Sequence, residues 1–216
     1  MGIPVRGLLS EPRLANRLRF FLAGSDVVRY SIGTTSRAAQ VFIERLMGWL
    51  DQNLALDFRR QPGMKGAIVA IREVPGIGGP QSTTIGITTS LSTRYDVRWK
   101  DLNDRRSLNW VEQAVIAHEI GHTLGLSHPY NRPWDKAFDT GDTIMSYNNN
   151  RARPPWYTTS DLRALQSLWG RETESTSQPS QVTTSLPPAA GSWWAWENGI
   201  RWTVHPNTDL EGWSSG

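Results

Sequence analysis

Apolar positions recur at helical spacing between Ser36 and Gln52, where Val41, Leu46, Trp49 and Leu50 repeat and Thr35 or Ser36 stands ready to cap the first turn. This spacing predicts a helix over 36–52. Around it the period changes. Val27–Ile32 is short, β-branched and aromatic, as expected of a strand. Leu54–Arg60 alternates apolar and polar residues, and Gly66–Val74 is a nearly continuous apolar run of the kind found in central strands. The glycine- and proline-rich Pro75–Pro80 ends that run. Thr83–Thr89 predicts a weaker strand, interrupted by Gly86, and Tyr95–Trp99 a fifth.

Two more helices follow. Asn109 and Glu112 have the spacing of a capping box, and Gly125 is a natural stop, which predicts a helix over 109–124. Thr158 and Asp161 repeat the capping pattern before a last helix that ends at Gly170.

Composition then divides the chain. Residues 171–191 are rich in Ser, Thr, Gln and Pro and have almost no large apolar side chain, so they read as a linker between a domain at 1–170 and a tail at 192–216. The tail is dense in tryptophan, of which the chain has 11. Asn198–Gly199 between two apolar runs predicts a two-residue hairpin that pairs Trp196 with Arg201 and Ala195 with Trp202.

Charge and cysteine narrow the chemistry. Lys and Arg number 23 against 20 for Asp and Glu, with no long run of one sign, which argues against nucleic acid as a partner. There is no cysteine, so thiolate metal sites, thiol nucleophiles and disulfides are excluded. No stretch is apolar enough to span a bilayer, and the first 24 residues lack the apolar core of a signal peptide.

Three of the four histidines fall within His118–His128, in the sequence HEIGHTLGLSH. On a helix, His118 and His122 lie a turn apart on one face. A sharp turn at Gly125 brings His128 back to complete a three-imidazole site of the type that holds catalytic Zn²⁺ with one position open to water. Glu119, about 100° round the helix from His118, is placed to take a proton from that water and pass it to a leaving amine. Five fixed positions of this kind coincide by chance in roughly fewer than one in a million windows. His205 has no such partners and reads as an ordinary surface histidine.

The extended motif HExxHxxGxxH resembles that of the metzincin zinc peptidases. Pro129 after the third histidine, the sequence DTIMSYN with Met145 and Tyr147, and SDLRALQSLWG near the end of the domain resemble the serralysin-like group. The resemblance is strong from about Ser107 to Gly170, and upstream it covers only the order of elements. It implies an α+β catalytic domain with a twisted, mostly parallel five-stranded sheet, an antiparallel edge strand and three main helices. It implies a zinc-dependent endopeptidase in which His118, His122 and His128 bind one zinc ion, Glu119 is the general base and Met145 is an apolar floor. Tyr147 would ligate or approach the zinc and then stabilise the transition state, although a packed core tyrosine is the alternative. A protein or peptide substrate would lie extended along Thr83–Thr89, and Trp156 with its neighbouring prolines would shape the pocket beyond the scissile bond.

The sequence also departs from that group. It lacks their glycine- and aspartate-rich calcium repeats, which leaves calcium dependence open. The resemblance favours an extracellular setting. Nothing in the sequence sets an oligomeric state. Three rival readings stand beside the general peptidase: an enzyme for one defined partner, a sugar- or cell-wall-binding protein that works through the tryptophan tail, and a tail that plugs the cleft.

Overall fold

The structure, a computed structural model, describes residues 2–78, 82–102 and 107–173 together with two strands near the C-terminus. It divides into two units, Met1–Thr173 and Glu174–Gly216. The first is an α+β domain. Its elements in order are α1 (Val5–Leu8), α2 (Pro12–Leu22), β1 (Val27–Gly33), α3 (Arg37–Asn53), β2 (Asp57–Arg60), β3 (Val69–Val74), β4 (Gly86–Ser90), β5 (Tyr95–Lys100), α4 (Trp110–Thr123) and α5 (Thr159–Trp169). The second contributes the antiparallel pair β6 (Trp193–Glu197) and β7 (Ile200–Val204), in which Trp196 faces Arg201 and Ala195 faces Trp202, the register expected from the sequence. The Asn198–Gly199 turn, His205 and nearly all of the linker lie outside the described residues.

The sheet runs in the order β2-β1-β3-β5-β4, parallel throughout except for β4, which pairs antiparallel with β5 at one edge. Its inner strands are the apolar runs. Val69, Ile71 and Val97 are fully or nearly fully buried, and this layer meets Ile43, Leu46, Met47 and Leu50 of α3 and Ile116 and Ile120 of α4. Burying a side chain of this size contributes about 1.5–3 kcal/mol, so the central layer fixes the register of the whole sheet.

Several expectations need correction. Among the described residues the domain has four helices of two turns or more and the one-turn α1, not three main helices. The extra one, α2, begins with Pro12 at its first turn and buries Ala15, Leu18, Phe21 and Leu22, while its arginines pack outside. Arg17 lies over the rings of Phe20 and Phe21, and Arg19 over Trp169. The buried stripe of α3 is Ala39, Phe42, Ile43, Leu46, Met47 and Leu50, with Trp49 packed at its margin and Val41 only half-buried. The strand expected from Leu54 starts at Asp57, because Leu54 still donates its amide to the last turn of α3. The apolar run from Gly66 enters the sheet only at Val69. Trp156 is half-buried and packs edge-on against Phe42 and Trp49, with ring centroids 5.6 and 6.2 Å away.

The caps stand where the sequence put them. Ser36 Oγ accepts from the Ala39 amide at 3.3 Å, and Asn109 with Glu112 and Thr158 with Asp161 form full capping boxes. Among the described residues no helix is long and apolar enough to cross a membrane.

Candidate metal centre

Helix α4 is held along its length before it presents any chemistry. Its first turn is closed by the Asn109–Glu112 box, and Trp110 Nε1 donates to Arg153 O at 2.9 Å. Its last turn ends in a Schellman motif: Leu126 N donates to Gly121 O at 3.0 Å and Gly125 N to His122 O at 3.1 Å. Gly125 has φ 102°, a value that favours glycine, and a Cβ there would lie 2.8 Å from both Ala15 Cβ and Leu168 Cδ1. The chain can therefore reverse beneath the helix and run back through His128.

That return brings the three imidazoles together. The ring centroids of His118 and His122 are 4.8 Å apart, those of His122 and His128 4.8 Å, and those of His118 and His128 5.2 Å. One ring nitrogen from each falls within 4.8 Å of the other two, so the trio could hold a metal ion. Two main-chain carbonyls set the tautomers. His118 Nδ1 donates to Ile144 O at 2.9 Å and His122 Nδ1 to Leu126 O at 2.8 Å, which leaves the Nε2 lone pairs of both rings free. Burial keeps the imidazoles neutral: His118 is pushed well below the ordinary value of 6.5, His122 is lowered, and His128 falls to about 4. Nε2 of His118 and of His128 are buried and make no hydrogen bond. A buried nitrogen without a partner is costly. Two of them in one cluster, with lone pairs that neutral rings can offer, match the donor set of a divalent cation bound by imidazole.

The carbonyl that orients His118 is itself anchored. Asp161, fully buried at the start of α5, accepts from Ile144 N at 3.0 Å through Oδ2 and from the hydroxyl of Thr143 through Oδ1. Burial raises its pKa, and these bonds work against that rise by favouring the carboxylate. A line of contacts thus runs from the cap of α5 through residue 144 to the first histidine. Met145 follows with no exposed surface. A Cβ on Gly121 would come within 2.8 Å of Met145 Sδ, so the glycine inside α4 leaves room for the thioether beneath it.

Glu119 is buried on the side of α4 that faces β4. Thr88 Oγ1 lies 2.8 Å from Glu119 Oε2 and 2.8 Å from the Glu119 carbonyl oxygen. Two residues earlier on the same strand face, Gly86 has no side chain to hold the helix off; a Cβ there would collide with Val115 and stand 2.9 Å from Glu119 Oε1. Burial raises the Glu119 carboxyl to about 7 against the opposing pull of Thr88. A dication held by the imidazoles would act in the same sense as Thr88, favouring the ionised form.

Tyr147 completes the cluster. Its ring centroid is 5.0 Å from His128 and 5.4 Å from His118, and the side chain is 40% exposed, so it is no core tyrosine. Burial, and after it the charge of Glu119, raises the phenol above its ordinary 10.0, so it is a hydrogen-bond donor at neutral pH.

The third histidine is steadied from the N-terminal segment. Ser127 N donates to Leu8 O at 2.8 Å, Ser10 N donates to Ser127 Oγ at 3.1 Å, and Ser10 Oγ lies 2.7 Å from Ser127 Oγ and 2.8 Å from Asn131 Oδ1. Tyr130 and Asn131 adopt left-handed backbone at φ 49° and 58°, a strained pair held in the turn after His128. The charge of Glu11 opposes the effect of burial on His122 and His128.

Sequence reasoning did not identify Thr88, Ser10, Glu11 or the two orienting carbonyls. Only Gly86 carried a signal, since a glycine inside a strand often marks a close approach. Neither a scan against protein-family models nor a search of curated proteins returns a match for this chain.

Proposed function

We propose that the chain is a zinc-dependent endopeptidase of the metzincin type, similar to the serralysin catalytic domain. The observation that carries this reading is the convergence of three neutral imidazoles beside a buried carboxylate on a helix that ends at Gly125. A zinc ion held by His118, His122 and His128 would supply Lewis acidity toward a scissile carbonyl and acidify a water molecule. Glu119 accepts the proton of the attacking water and delivers it to the leaving amine as the C–N bond breaks. Thr88 holds that carboxylate in place. The Tyr147 phenol donates a hydrogen bond to the oxyanion. The substrate adds as an extended strand along β4, the edge of the sheet that lies against α4.

Purified full-length protein is expected to carry one zinc per chain by elemental analysis and to cleave a protein substrate such as casein. A chelator should abolish cleavage and added zinc restore it. Glu119→Gln should keep the zinc and lower kcat by about 10²–10⁴-fold. Absence of stoichiometric zinc, or full activity in the Glu119 variant, would overturn the reading.

A further inference from the structure

Trp134 is 69% exposed, whereas Trp99 and Trp110 are buried. An indole left in water is usually held by nothing. This one is held at both flanks. Tyr147 N donates to Pro133 O at 2.9 Å, and Asn148 Nδ2 donates to Asp135 O at 2.8 Å, so the backbone on either side of Trp134 is tied to the segment that follows Met145. Within the loop, Phe138 N donates to Asp135 O at 3.1 Å and Ser146 Oγ to Phe138 O at 3.0 Å. The indole packs edge-on against Tyr147, centroids 5.1 Å apart at 80°, and Tyr147 in turn sits 5.0 Å from His128. A large apolar face is thus fixed one ring away from the metal-binding imidazoles and open to solvent.

We propose that Trp134 is the specificity-determining wall of the cleft and receives a large apolar or aromatic substrate side chain next to the cleaved bond. The inference rests on the peptidase reading. Fixing the ring before substrate arrives removes the ordering cost that a mobile indole would carry, and aromatic pairs favour the offset and edge-on arrangements that an open ring offers. An indole face also attracts cations. Arg132 and Lys136 stand two positions from it on either side and Asp135 next to it, so a Lys peptide tests whether the subsite takes a cation instead.

The test uses the zinc-loaded full chain and peptides of one scaffold that differ only in having Phe, Ala or Lys next to the cleaved bond. The wild type should prefer Phe over Ala by about tenfold or more in kcat/KM, a discrimination of the size one apolar pocket supplies. Trp134→Ala should collapse that ratio to near unity by losing far more on the Phe peptide than on the Ala peptide, and Trp134→Phe should retain most of it. An unchanged ratio in Trp134→Ala, an equal loss on all peptides, or a preference for Lys overturns the assignment. A binding readout separates this from the peptidase reading. In Glu119→Gln protein labelled with 5-fluorotryptophan, the ¹⁹F signal assigned to Trp134 by its loss in Trp134→Phe should shift with the Phe peptide and not with the Ala peptide. That shift in a chain whose wild type cuts neither peptide would sink the peptidase and support the subsite. A static signal would sink the subsite.

Discussion

Thr88 shows how little of the site's support lies in its motif. Its hydroxyl holds the Glu119 carboxylate from a neighbouring strand 31 residues earlier in the chain. Thr88→Val keeps the shape and removes the donor, and partners of this kind are worth about 10–100-fold in activity or metal affinity. The variant is expected to lose about tenfold in kcat with its zinc content unchanged. Stopped-time peptide cleavage with elemental analysis on the same sample checks both. The five motif residues were legible because their spacing encodes their geometry: two histidines a turn apart, a glycine that reverses the chain, and a third histidine after it. Thr88 was illegible because threonine in a strand is ordinary, and only the approach of β4 to α4 gives it a task. The carbonyls of Ile144 and Leu126 were illegible for a stronger reason. Every residue has one, so no pattern of side chains marks which will face a histidine.

At the level of elements, β3 and β5 are joined by more than their ladder. Arg72 Nε and Nη2 donate to Asp96 Oδ1 and Oδ2 at 2.8 and 2.7 Å, a forked pair across adjacent strands. The hydrogen bond from Arg72 holds the Asp96 carboxyl below its ordinary 3.8, with burial working against it. The unfolded chain therefore binds a proton first as the pH drops. The pair contributes its full stability above the unfolded value and loses it as the pH falls through the lower folded value. Asp96→Asn is expected to cost about 1–2 kcal/mol at pH 7, at the low end for a charged hydrogen bond because Arg72 is partly open to water. Urea denaturation at pH 7 and pH 3 should show the gap between variant and wild type narrowing at acid pH. Most elements were readable because burial enforces a period of 2 or near 3.6, and boundaries moved by three residues where an apolar run began before the sheet did, as at Gly66. Helix α2 was missed although Ala15, Leu18 and Leu22 recur at helical spacing, because Arg13, Arg17 and Arg19 on its outer side make the run read as polar. Two of these arginines lie over aromatic rings, so their stems extend the packing that their charges conceal.

For the molecule as a whole, an ion held by the imidazole cluster would tie stability to metal binding. A ligand that binds only the folded state at a thousand times its Kd adds about 4 kcal/mol. For a domain of this size each kcal/mol raises Tm by about 2–4 °C. The zinc-loaded protein should therefore melt roughly 10 °C above the chelated form by calorimetry, and His128→Ala should melt at the same temperature with or without zinc.

The strap from Leu8 to Ser10 has a consequence in the same currency. It grips the stretch between Gly125 and Asn131 through Ser127, so docking of the strap and retention of an ion by the histidines would favour each other by one common factor. Residues more than a hundred positions apart in the chain then answer to a single equilibrium. Whatever peels the N-terminal segment away would loosen the grip on a metal bound there, and a chain stripped of that metal would offer the segment to proteases first.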